Sequence, residues 1–163
     1  MKRDEAKTNE MDAGAMMGAY LKFALMMVIS FVIMYAAMYL NVDRFEHVYL
    51  SLTRLYMTLL MVAPMAIVML AFMGDMYKDK RLNAAIIGAS IFVFVLALVF
   101  LRNQTFIGER QYMKAMIPHH SSAILTSKNA DLQNPQVQKL SRDIIEAQER
   151  EIREMKVLLD KTE

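Results

Sequence analysis

Polar and apolar positions divide this chain into three parts. Residues 1–18 mix Lys2, Arg3 and Lys7 with Asp4, Glu5, Glu10 and Asp12, carry little apolar content before Met16, and predict a flexible cytoplasmic tail. Residues 19–101 hold three apolar blocks, from about Tyr20 to Leu40, from about Val48 to Met73 and from Leu82 to Leu101. A helix rises about 1.5 Å per residue, so roughly 20 residues cross a bilayer core about 30 Å thick. Each block is long enough, and three transmembrane helices are predicted. From Arg102 onward the pattern changes. Ten Lys/Arg and nine Asp/Glu are spread among apolar residues at helical spacing, with no further block of spanning length, so residues 102–163 read as a separate soluble domain.

Within that domain the first helix is predicted from about Thr105 to Lys128, bent at Pro118, because an interior proline removes one backbone hydrogen bond and crowds the preceding turn. Residues Asn129 to Asn134 form the turn. The second helix has a clear start, with Asn134 as N-cap and Pro135 at the first helical position, where its missing N–H costs nothing. Its apolar stripe runs Val137, Leu140, Ile144, Ile152, Met155 and Leu159, and Gln148 and Glu151 fall on the same stripe. Polar groups on a stripe meant for burial need partners.

Composition supports the membrane reading: 56% of the 163 residues are hydrophobic. The net charge is only +2, and no Lys/Arg cluster with interleaved aromatics occurs, so nothing supports nucleic-acid binding. The absence of cysteine removes disulfides and thiolate metal sites. Any metal must be held by His, Met, carboxylate or amide.

Seven Lys/Arg flank the first helix or lie between helices two and three, namely Lys2, Arg3, Lys7, Lys22, Lys78, Lys80 and Arg81, against Arg44 alone between helices one and two. The positive-inside rule then places the N-terminus in the cytoplasm and the C-terminal domain outside a bacterial-type cytoplasmic membrane. A signal peptide is the competing reading of the first block, but acidic residues precede it and no small-residue cleavage site follows. Arg54 stands near the outer end of helix two, where it can snorkel, and Pro64 near the middle predicts a kink. Met57, Met61, Met65, Met69 and Met73 recur every fourth residue on that helix. Each step of four advances the angle by about 40°, so the row winds as a packing ridge rather than lining one path for a soft metal. His47, beside Glu46 in the outer loop, is expected to be exposed and unliganded.

The run from Gln111 to His120 carries the candidate chemistry, holding two of the three histidines with Met113 and Met116 just upstream. Imidazole and thioether are both metal ligands, and thioether suits Cu(I), so copper comes first, Cu(I) before Cu(II). On a wheel centred at Met116, His120 lies about 40° to one side with Met113 about 60° to the same side, and His119 about 60° to the other. If the hairpin turns about residue 132, Met116 comes level with Gln148, Met113 with Glu151, and the histidines face Ile144 and Ile145. The metal reading therefore gathers His119, His120, Met116, Met113 and Met155, with Gln148 and Glu151 as neighbours or further ligands, where bundle folds place metal sites. The same spacing also fits one exposed imidazole and one hydrogen-bonded to Gln148 or Glu151, with the methionines as core, because adjacent helical residues are about 100° apart.

A hairpin this short has one buried face per helix and little core of its own. It is expected to pair with a second copy into a four-helix bundle, as a homodimer or higher homo-oligomer, or to dock on another protein.

These residues resemble the domain-of-unknown-function 305 family in its membrane-anchored form. The resemblance covers roughly Thr105 to Leu159, and rests on Met113, Met116, Ile117-Pro118-His119-His120 and Ala123, then Ile145, Gln148, Glu151-Ile152 and Met155. It implies an all-α, ferritin-like helical fold, an extracytoplasmic position and, as in some members, copper binding tied to copper tolerance. His119, His120, Met113, Met116 and Met155 match the family's candidate ligands, and Gln148 and Glu151 its polar partners. Thr126 stands where the family usually has a methionine, so one soft donor is missing.

The leading expectation is a membrane-anchored copper protein for sequestration, handover or tolerance, working with another membrane or copper-handling protein. The alternative is a module that assembles a membrane complex, with no metal role. No enzyme is expected: a di-iron oxidase wants Glu-x-x-His on two helices, and residues 103–163 contain none.

Overall fold

The computed structural model describes residues 2–162, with side chains described at residue 14 and from residue 17 onward. Most of the tail predicted at 1–18 lies outside the residues whose side chains are described. Five α-helices follow one another: α1 Lys2–Ala37, α2 Leu52–Phe72, α3 Lys80–Arg102, α4 Glu109–Asn129 and α5 Pro135–Lys161, with a 3₁₀ turn at Phe45–His47. Among the described residues the fold is all-α. It divides into two compact units, Met1–Met34 with Met57–Val99, and Tyr35–Tyr56 with Phe100–Glu163.

In the first unit the three apolar blocks form helices long and apolar enough to cross a membrane, Met17–Ala37, Leu52–Phe72 and Lys80–Arg102, which makes the chain a multi-pass membrane protein. Their outer faces are inside-out by the standards of a water-soluble domain, with Leu21, Leu25 and Val28 of α1 and Ile91, Phe92 and Val95 of α3 exposed. Such a surface is stable against hydrocarbon and costly against water. Tyr77, in the connection from α2 to α3, is almost fully buried and packs its ring 5.3 Å from Tyr20 and 5.5 Å from Phe23. Tyr20 Oη donates to Asn83 Oδ1 at 2.8 Å, and Asn83 Nδ2 donates to the Tyr77 carbonyl at 2.7 Å. The Asp79 carboxylate accepts from the backbone N–H groups of Arg81 and Leu82, closing the start of α3. Along α2 the methionine row winds as its spacing requires: Met57 and Met61 are exposed, whereas Met69 and Met73 pack on the aromatic cluster.

In the second unit α4 and α5 form an antiparallel hairpin around Met113, Ile117, Ile124, Ile152 and Leu159, with Tyr49, Ile145 and Met155 against them. Pro118 lies inside an uninterrupted α4. The Asn134 side chain accepts from Gln136 N at 2.8 Å and Val137 N at 3.4 Å, and Pro135 opens α5 as the sequence predicts.

Two expectations about the hairpin fail. Contacts between His120 and Glu151, Ser127 and Ser141, and Arg110 and Leu159 centre the pairing near residue 135, not 132. The link from α4 to α5 is extended, and α5 begins only at Pro135, so the expected partners are displaced along α5 by roughly one to two turns. The apolar stripe of α5 is also only half buried: Val137 and Leu140 are exposed, because burial falls on the arc through Ile145, Ile152 and Leu159.

The ends of α1 and α2 belong to this second unit. Arg54 does not reach outward; its guanidinium lies 4.3 Å above the Tyr39 ring and is buried there. The link from α3 to α4 is held by aromatic edges, with Phe100 5.8 Å from both Tyr56 and Phe106, while Tyr56 Oη donates to the Thr105 carbonyl at 2.9 Å. Gln104 and Phe106 take left-handed φ of 50° and 61°. For residues with a Cβ this costs about 1–2 kcal/mol each, which these contacts must offset.

Candidate functional site

The helix through Met116 to Ser121 presents its two histidines differently. His119 is exposed and His120 is buried, their ring centroids 5.8 Å apart. His120 Nδ1 lies 3.0 Å from the Met116 carbonyl, one turn back, and a carbonyl can only accept, so this nitrogen carries a proton. His120 Nε2 lies 2.7 Å from Glu151 Oε2. At that distance a shared proton links the imidazole and the carboxylate as a hydrogen bond.

Met113 is buried in the hairpin core and Met155 packs beside it. Met116 is half-buried and its carbonyl holds His120. Gln148 is half-buried, and Glu151 rather than Gln148 meets the imidazole. No group of three or more His, Asp or Glu placed to hold a metal occurs among the described residues.

A second cluster lies on the adjoining side of α4. Ser121 is fully buried, and its Oγ accepts the Asp43 backbone N–H at 2.8 Å. The same oxygen lies 2.9 Å from His47 Nδ1, while Asn41 Nδ2 donates to Ser122 Oγ at 2.9 Å. Lys128 Nζ grips the Asp43 carboxylate at 2.9 Å, and Lys156 Nζ reaches Glu46 at 3.3 Å. The loop between the first two spans is thereby strapped to the hairpin. His47, expected to be exposed and unliganded, is buried; a loop histidine has no local pattern announcing a partner 74 residues away. A sequence signal did exist. Ser121 sits between Ile117 and Ile124 on the inward stripe of α4, a polar residue that needed a partner. Ser121, His47 and Glu46 follow the order of a hydrolytic triad, but the serine oxygen is enclosed and already engaged, so no substrate carbonyl reaches it.

Burial pushes the His47 imidazole below its usual value, Lys156 adds to the shift, and Glu46 and Asp43 oppose it. A lowered histidine pKa means that the released loop binds the proton better than the docked loop does. Docking is at full strength above about pH 6.5 and weakens as pH falls through the lowered pKa. Tryptic cleavage at Arg44, corrected for the protease's own pH profile, should therefore rise between pH 7.5 and 5 and stay flat in His47→Gln. An equal rise in both proteins would remove His47 from the account.

The comparisons with known proteins agree with the hairpin's motif. The domain of unknown function (DUF305) matches residues 101–161. The chain is also similar to Uncharacterized protein L153 of Acanthamoeba polyphaga mimivirus, 34% identical over 139 residues, covering 83% of this chain and 90% of that protein. The chain belongs to the DUF305 family. A match of that length extends well beyond the DUF305 residues of this chain. No solved structure matches the chain.

Proposed function

We propose that this DUF305 protein is a membrane-anchored interaction module whose hairpin packs against a second copy, forming a ferritin-like four-helix bundle that assembles a membrane complex. In this reading the N-terminus is cytoplasmic and the hairpin lies outside the membrane. The observation that carries it is the uncovered side of the hairpin. By helical phase Tyr112, Met116, His119 and Ala123 share an arc of about 60° on α4, as do Leu140, Ile144, Ala147, Glu151 and Leu158 on α5. Antiparallel packing brings the two arcs to one side. There Tyr112, Leu140 and Leu158 are 53%, 57% and 52% exposed. The strapped loop covers the other side, where Ser121 lies. Burial of three large apolar side chains, on a chain already concentrated by its bilayer, favours self-association.

The chain's lack of cysteine gives a direct test. Ala147→Cys, on the uncovered arc, should oxidise to a homodimer in membranes, whereas Arg153→Cys, turned toward the strapped loop, should not. Dimer from neither, or from both equally, would count against this face.

One observation favours copper binding as a second reading. A histidine whose Nδ1–H is fixed to a backbone carbonyl has Nε2 aimed outward, as ligating histidines do. Copper would have to displace Glu151 and the shared proton, with the exposed His119 and Met116 as further donors. A Cu(I) competition titration of the full chain separates the readings. Submicromolar binding lost in His119→Ala/His120→Ala supports copper, and unchanged dimerisation without metal supports assembly alone.

A further inference from the structure

The strapped loop and α5 border a pocket of about 140 Å³, open on one side to solvent, with Ile124 and Ile152 at its apolar wall. Its polar lining is unusual in how it uses Glu46. One oxygen of this exposed carboxylate faces three nitrogen donors at once: Lys156 Nζ at 3.3 Å, His47 Nε2 at 3.5 Å and Arg44 Nη1 at 3.8 Å. None reaches the roughly 2.7–2.9 Å of a well-made charged hydrogen bond. His47 Nε2 faces the Glu46 carboxylate, an acceptor, and the tautomer that suits this carries its proton on Nε2 and takes the Ser121 O–H at Nδ1.

The other acids of the lining, Asp43 and Glu149, are engaged by lysine, although Asp43 also lies 3.8 Å from Arg44 Nε. Asp43 is bound by Lys128 at 2.9 Å, and Glu149 faces the same lysine at 3.8 Å. Arg153 also lines the cavity, and among the described residues it forms no ion pair. The Glu46 carboxyl is held below its ordinary pKa, chiefly by the Lys156 hydrogen bond, as a site of positive potential requires. Four donor groups thus surround one loosely held carboxylate. A tetrahedral oxyanion, with several oxygens, would satisfy them better than one carboxylate oxygen does.

The location narrows the ligand. Only residues 38–51 link the ends of α1 and α2, so the 3₁₀ turn carrying Glu46 and His47 cannot stand far from the bilayer surface. Phosphate is the common oxyanion at that level, and basic residues there recognise it.

We propose that this cavity is a phosphate-binding site in which Glu46 stands in for the ligand. A bound phosphate displaces the Glu46 carboxylate and takes Arg44, Lys156, Arg153 and the His47 Nε2–H. The phosphate belongs either to a lipid headgroup or to free inorganic phosphate.

The test uses the full chain in a maltoside detergent free of phospholipid, titrated with inorganic phosphate and followed by ³¹P line broadening. Wild type should bind, Glu46→Gln should bind more tightly because the competing charge is gone, and Arg153→Gln should lose at least about tenfold. Unchanged hydrogen exchange at the Asp43 amide confirms that both variants keep the loop docked. Short-chain phosphatidylglycerol, held below its micelle concentration, then identifies the source. If it displaces phosphate at lower concentration than phosphate itself requires, the ligand is a lipid headgroup; if it fails to compete, the ligand is free phosphate. No binding in wild type and Glu46→Gln, or equal binding by Arg153→Gln and wild type, overturns the site.

Discussion

Ile117→Ala should destabilise the hairpin unit by about 2–5 kcal/mol, the usual cost of emptying a fully enclosed aliphatic site. Ile117 has no exposed surface and packs with Met113, Ile124 and Ile152, in a hairpin with few other buried side chains to share the loss. Its neighbour in sequence, Pro118, is also fully buried, so the backbone there has little freedom to collapse into the cavity. The readout is hydrogen exchange of amides in α4, followed on the full chain in nanodiscs. The control is Val157→Ala, which trims an exposed side chain on α5 away from both the core and the uncovered arc and should shift stability by no more than about 0.5 kcal/mol. Equal effects of the two substitutions would mean that the core lies elsewhere.

The second large effect is expected from Ser121→Ala. This change removes one oxygen, yet it leaves both the Asp43 N–H and His47 Nδ1 without their partner. A buried polar group left unpaired costs about 1–3 kcal/mol. The loss falls on the strap rather than on the hairpin, because the Ile117–Ile152 core is untouched. The Asp43 amide should therefore exchange at least about tenfold faster, with α4 and α5 amides little changed. Ser121→Thr is no rescue, since the site is fully enclosed and an added methyl has no room. An Asp43 amide unaffected by Ser121→Ala would show that Lys128 and Asn41 hold the loop without the serine.

What the sequence revealed and what it concealed follow from the range of the interactions involved. The three spans were legible because length and hydropathy are sufficient signals for a bilayer. The start of α5 was legible because Asn134 and Pro135 act on backbone groups within three residues of themselves. The partnership of a histidine with a polar residue on the α5 stripe was also within reach, since Glu151 on that arc demanded a partner. The register was not. It depends on how much chain the link between Asn129 and Pro135 consumes, and an extended link cannot be told from a tight turn by composition. Nor was the strap, whose contacts join residues 74 to 110 positions apart in sequence. The copper expectation rested on residue types, and those residues are present. The structure places Met113 and Met155 in the hairpin core and sets Glu151 against His120, and residue types alone announce neither placement.

Helical phase places Glu151 within the uncovered side and His120 at its rim, so this hydrogen-bonded pair stands where a second hairpin would meet it. The measurement that tests this most directly is the mass of the full chain in detergent, by light scattering corrected for bound detergent, for wild type beside Leu140→Glu/Leu158→Glu. The account predicts a dimer or larger assembly for wild type and a folded monomer, with Asp43 amide protection intact, for the double variant. A wild-type monomer at the concentrations reached in a membrane, or an assembly indifferent to both charges, would contradict it.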